Sequence, residues 1–147
     1  MCGEHGGICK SPCNIIICTP NLTSIKFRAY FYDNFLLENL DSLGSATIEF
    51  ADRWRVRHLI NVLKGLHNVT TLELFHWEYE IKPMESQAIL IQLSRTFHNL
   101  RSLMLLGWRS SFLIYVITTL LKSSPFLETL VLSEVQVLTK GYIYTEL

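Results

Sequence analysis

The sequence predicts an α/β solenoid: an arc of parallel strands lining a concave side, with helices and connectors on the convex side. Three observations carry this reading. A phrase of the form L-x-x-L-x-L returns as Leu22-Thr-Ser-Ile25-Lys-Phe27, Leu43-Gly-Ser-Ala46-Thr-Ile48, Val69-Thr-Thr-Leu72-Glu-Leu74, Leu100-Arg-Ser-Leu103-Met-Leu105 and Leu127-Glu-Thr-Leu130-Val-Leu132. The first anchors, Leu22, Leu43, Val69, Leu100 and Leu127, are separated by steps of 21, 26, 31 and 27 residues. Turn formers repeat just ahead of the anchors, as Pro20-Asn21 before Leu22, Glu38-Asn39 before Leu40, His67-Asn68 before Val69, His98-Asn99 before Leu100 and Ser124-Pro125 before Phe126. Pro presets φ there, and Asn bonds its own backbone.

Phrase, turn and period recurring together fit leucine-rich repeats, which run about 20 to 29 residues each. From Cys13 to Phe27, two apolar runs parted by Thr19-Pro20 read as strand, turn and strand. Phe31 to Leu40 reads as a connector in which Phe35, Leu36, Leu37 and Leu40 pack as a short turn of helix. Val56, Leu59, Ile60, Leu63 and Leu66 fall at helical spacing, and Gly65 favours a stop. A second helix is expected over Glu85 to Arg95, behind Pro83, with Ala88, Ile89, Ile91 and Leu93 apolar. A third covers Ser111 to Lys122, with Leu113, Ile114, Ile117, Leu120 and Leu121 on one face, and ends at Ser123-Ser124-Pro125. The expected organisation is a Cys- and Gly-rich N-terminal tail over 1–14, a solenoid of about five repeats over 15–135 and a C-terminal tail over 136–147.

Successive strand residues point to opposite faces. With the anchors inward, Ser24, Lys26 and Arg28, Ser45, Thr47 and Glu49, Thr71, Glu73 and Phe75, Ser102, Met104 and Leu106, and Thr129, Val131 and Ser133 face the concave side. The candidate protein-binding residues are Lys26, Arg28, Thr47, Glu49, Thr71, Glu73, Phe75, Met104, Leu106 and Val131. Charge sits in the early rows and apolar surface in the later ones, which suits a protein or peptide ligand. Tyr30, Trp77 and Trp108, each three positions past a last anchor, are expected to stack along one edge as core.

Composition narrows the function classes. The 147 residues make one domain, and 49% hydrophobic content supports a substantial core. Thirteen basic residues balance thirteen acidic ones, so no phosphate-binding surface and no nucleic-acid partner are expected. The N-terminus MCGEHGGICKSPC lacks the basic start and apolar run of about 7 to 15 residues that an export signal needs, so an intracellular location, cytoplasm or nucleus, is expected. The apolar stretch Phe112 to Leu121 is shorter than the roughly 20 residues of a membrane span. Asn21-Leu-Thr23 and Asn68-Val-Thr70 match the glycan acceptor pattern but read as turns.

Cys2, Cys9, Cys13 and Cys18, with His5 among them, raise the question of zinc, but no C-x-x-C pair is present and no metal site is expected. They read as a reduced tail, with Cys18 a small buried residue beside the first strand. A zinc module built on them is a third functional reading. His67 and His98 occupy the same slot of two repeats, and with His58 and His76 they form no recognisable catalytic set. Nucleophile elbow, H-E-x-x-H and phosphate-loop patterns are lacking, so no catalytic residue, no cofactor and no enzymatic activity are expected.

The phrases TPNLTSIKF, ENLDSLGSATIEF, VRHLINVLKGLHNVTTLELF, FHNLRSLMLLGW and LLKSSPFLETLVL together resemble the plant F-box/leucine-rich-repeat family, including members with a C-terminal FBD region. The resemblance runs from about Ile15 to Leu132. It implies a protein-binding scaffold like the substrate-recognition part of an SCF-type E3 ubiquitin ligase, where an F-box docks onto a Skp-type adaptor and cullin. The residues before Leu22 are too few for an F-box and those after Leu132 too few for an FBD region, so adaptor and cullin are expected partners only if an F-box is supplied. The alternative is a truncated product that competes for substrate or is inactive. Solenoid ends need polar caps, and neither end shows one, so marginal solubility or association through the ends is expected.

Overall fold

The structure, a computed structural model, describes residues 13–29, 33–50, 56–76, 97–110, 113–139 and 142–146. It is an α/β chain. In order come β1 (Cys13–Cys18), β2 (Ser24–Ala29), β3 (Asp33–Glu38), β4 (Ser45–Phe50), α1 (Val56–Gly65), β5 (Thr71–Phe75), β6 (Ser102–Leu106), β7 (Arg109–Ser110), α2 (Leu113–Lys122), β8 (Thr129–Ser133), β9 (Gln136–Thr139) and β10 (Tyr142–Glu146).

Each of the five phrases supplies one strand of a sheet ordered β2-β4-β5-β6-β8, and every pair in it is parallel. Phrase lies on phrase without slippage. Ile25, Ala46, Leu72, Leu103 and Leu130 form one lateral row, and Phe27, Ile48, Leu74, Leu105 and Leu132 another. Turns before the strands hold this alignment: the N–H groups of Leu22, Leu43, Val69 and Leu127 donate to the carbonyls of Thr19, Leu40, Leu66 and Ser124. A second device then repeats at each step. The carbonyl of Thr23 accepts from the N–H groups of Gly44 and Ser45, that of Gly44 from Thr70 and Thr71, that of Thr70 from Arg101 and Ser102, and that of Arg101 from Glu128 and Thr129.

One turn differs from the sequence reading. In the second phrase it is Leu40-Asp41-Ser42-Leu43 that closes, whereas Asn39 takes φ 50° and carries the chain out of β3. Asn tolerates that left-handed conformation better than most residues.

The core follows the anchors. Leu43, Ala46, Ile48, Val69, Leu72, Leu74, Leu100, Leu103 and Leu105 are buried, while Leu22, Ile25, Phe27, Leu127, Leu130 and Leu132 are only partly covered. The difference is positional, since β2 and β8 each have a sheet neighbour on one side alone. Against β3, α1 buries Leu59, Ile60 and Leu63, and Leu66 just past its end is buried with them, as the spacing predicts; Val62, outside that spacing, is buried too.

Residues 33–38 are a strand, where a helical turn is expected from sequence. Strand β3 pairs in parallel register with β1, from Cys13 beside Asp33 to Cys18 beside Glu38. Phe35 and Leu37 alternate into the core, and the Phe35 ring lies 4.4 Å from that of Phe27. In α2 the buried face holds Ile117, Leu120 and Thr119, whereas Ile114 and Leu121 are 52% and 41% exposed, so the expected apolar face is only partly the packed one. The helix expected over 85–95 lies outside the described residues.

Beyond the main strands, β7, β9 and β10 form a small sheet in which β9 runs parallel to β7 and β10 returns antiparallel. The stretch 136–147 thus carries two strands. Trp108, just before β7, is fully buried; its indole N–H donates to the Leu74 carbonyl at 3.1 Å and its ring stands edge-on to Phe50. Tyr30 and Trp77 lie outside the described residues. Among the described residues no helix is long and apolar enough to cross a membrane.

Candidate protein-binding face

The parallel register converts five short phrases into three lateral rows on the face opposite the core. The first is a row of hydroxyls, Ser24, Ser45, Thr71, Ser102 and Thr129. The second is Lys26, Thr47, Glu73, Met104 and Val131, and the third Arg28, Glu49, Phe75, Leu106 and Ser133. All ten candidate residues stand on this face, at intervals of about 4.8 Å between strands. The alternating burial of β4, β5 and β6 confirms which side each residue takes: the members of these rows are half-buried and the anchors between them buried. Lys26, Arg28 and Val131, on the outer strands, are exposed.

Polar contacts gather on one half of the face. The Ser45 hydroxyl donates to that of Ser24 at 3.0 Å, and the Thr47 hydroxyl donates to Glu73 Oε2 at 3.1 Å. Arg28 Nε lies 3.9 Å from Glu49 Oε1, with both side chains about half exposed, so solvent screens the pair and its contribution to stability is small. On the other half, Phe75, Met104, Leu106 and Val131 occupy neighbouring positions of β5, β6 and β8 and make a continuous apolar patch.

The rim of this face contains residues whose place at the strand ends sequence reasoning did not foresee. His76, Gly107 and Glu134 follow β5, β6 and β8 directly and have φ values of 61°, 69° and 53°. The His76 N–H donates to the Leu106 carbonyl at 2.7 Å and the Gly107 N–H to the Ser133 carbonyl at 2.9 Å, so these left-handed residues end the strands while continuing the lateral bonding. Only Gly107 signals such a conformation by its residue type. At the opposite end of the strands, the Arg101 guanidinium sits 5.3 Å from the Phe126 ring centroid and 3.1 Å from Glu128 Oε1, and Phe126 is 55% exposed.

Cys18 is exposed at the end of β1 and accepts a hydrogen bond from Asn39 Nδ2 at 3.4 Å. The expectation of a buried Cys18 fails because β1 is an edge strand that β3 covers on one side only. Cys2, Cys9 and His5 lie outside the described residues. Among the described residues no group of three His, Cys, Asp or Glu converges as a metal site.

Comparison with known proteins matches the chain to Arabidopsis thaliana relatives. It is 30% identical over 128 residues to "Putative F-box/LRR-repeat protein At3g58880", covering 78% of this chain and 27% of the relative. It is 31% identical over 120 residues to "Putative F-box protein At3g58860", covering 78% and 25%. With "Putative F-box/LRR-repeat protein At3g59160" it is 28% identical over 147 residues, covering 89% and 30%. The chain therefore spans less than a third of the length of the curated relatives it matches. No family model matches it, and no solved structure does. The repeated phrases, their parallel register and these matches together make the chain a relative of the plant F-box/LRR-repeat proteins.

Proposed function

We propose that residues 15–135 form a leucine-rich-repeat solenoid whose five-stranded sheet is the concave side and holds a protein or peptide. The observation that supports this best is the apolar patch of Phe75, Met104, Leu106 and Val131 beside a charged half-face. Parallel sheets are normally covered on both faces. Here one face carries the core and the other carries apolar side chains that a bound chain would cover.

In this reading the scaffold performs no chemistry of its own. It selects the protein that an intracellular SCF-type ubiquitin ligase modifies, and contact with a Skp-type adaptor and cullin depends on an F-box supplied elsewhere. The names of the relatives support that assignment.

Affinity capture from plant lysate with the wild-type chain and with Glu73→Lys/Phe75→Ala, read by mass spectrometry, tests both parts. Neither residue belongs to the core, so the variant is expected to stay folded while losing the wild-type partner. Equal recovery by a folded variant would refute the face. Adaptor and cullin recovered alongside the partner would support the ligase role, and their absence would remove it while leaving the scaffold.

A further inference from the structure

The middle row of the binding face carries two charges that have no ion-pair partner among the described residues. Glu73 receives one hydroxyl from Thr47 at 3.1 Å, is half-buried, and makes no ion pair with a described residue. Its neighbours on the other side are apolar: Met104 beside it in the row and Phe75 two residues along its own strand. Lys26, in the same row on β2, also has no ion-pair partner among the described residues. Arg28, which could have served Glu73, lies instead against Glu49 in the next row. A carboxylate bordered by apolar surface gains most from a cation that arrives with its own apolar neighbours, because those neighbours exclude water from the pair.

The spacing of the row adds an order to this chemistry. Lys26 and Glu73 are separated by two strand intervals, about 9.6 Å, and Glu73 and Val131 by two more. In an extended polyproline II chain, residues three apart share a face and lie about 9.3 Å from one another. We infer that the ligand of this face is an extended peptide segment bearing an acidic residue, a basic residue and an apolar residue at successive intervals of three, which lie over Lys26, Glu73 and the Met104–Val131 patch. This rests on the binding-face reading and specifies its ligand.

Phage-displayed peptide libraries give the test. One fixes Asp-x-x-Lys-x-x-Leu and the other the composition-matched Lys-x-x-Asp-x-x-Leu, each displayed in both chain directions. The wild-type chain should enrich the first order over the second by about tenfold or more, since the swapped order replaces two attractions with two repulsions. Lys26→Gln/Glu73→Gln should erase the preference, and Lys26→Glu/Glu73→Lys should invert it. Equal enrichment of both orders, lost on Phe75→Ala, would overturn the charge order while keeping the face. Enrichment of neither order would overturn both.

Discussion

Replacing Gly65 with Ala inverts the usual rule for a helix. Ala is favoured over Gly in a helix by about 1 kcal/mol, so propensity alone predicts stabilisation. Gly65 ends α1 where the helix meets β3, and a Cβ built there would collide with the Cβ of Leu37 and lie 2.7 Å from its carbonyl oxygen. Neither atom is the free end of a flexible side chain. Relief requires moving β3, which also pairs with β1 and buries Leu37 and Phe35. Overpacking of this kind costs about 1 to 3 kcal/mol, and the propensity gain offsets only the lower part of that range. Gly44→Ala is the control, because its Cβ would meet only the Thr23 carbonyl at 3.6 Å, an ordinary contact. Urea unfolding followed by far-ultraviolet circular dichroism should show a lower midpoint for Gly65→Ala and a nearly unchanged one for Gly44→Ala. A Gly65→Ala protein as stable as wild type would refute the argument that this glycine is kept for helix-to-strand approach.

Two further outcomes follow from burial. Leu103 is fully buried and Leu130, in the same lateral row, only partly so. Leu103→Ala should cost about 2 to 5 kcal/mol by urea titration, and Leu130→Ala clearly less; equal losses would mean that β8 is covered as well as β6. Trp108→Phe removes the N–H that donates to the Leu74 carbonyl inside the core. The Leu74 carbonyl keeps its place in the ladder with β6, so losing this additional buried bond should cost about 0.5 to 1.5 kcal/mol in the same titration, and an unchanged midpoint would show that the bond is dispensable.

The five strands were legible because each phrase satisfies two demands at once: alternation within a strand and recurrence from strand to strand. The ten face residues follow from the same alternation, and all stand where it puts them. Strand β3 was not legible, since the run Phe35-Leu36-Leu37 has no period that separates strand from helix. Its pairing with β1, twenty residues earlier, decides the matter, and a local reading does not contain that partner. The exposed side of α2 escaped for a related reason. Five apolar residues at helical spacing define a face, but the amount of that face that finds a neighbour depends on packing. The left-handed residues His76 and Glu134 were hidden because non-glycine residues take such angles uncommonly, His more often than Glu, whereas Gly107 in the matching position does so freely.

The doubly accepting carbonyls at the start of the strands have a consequence for how such a chain can change over time. Thr23, Gly44, Thr70 and Arg101 each fix where the next strand begins, whatever the route taken by the backbone between them. The intervening segments already differ in length and in kind, one passing through a strand and another through a helix. Lengthening a flexible connection costs only about 0.6 kcal/mol per doubling. Insertions and deletions can therefore accumulate in the connections, one at a time, while the ordered rows of the five-stranded sheet stay in step.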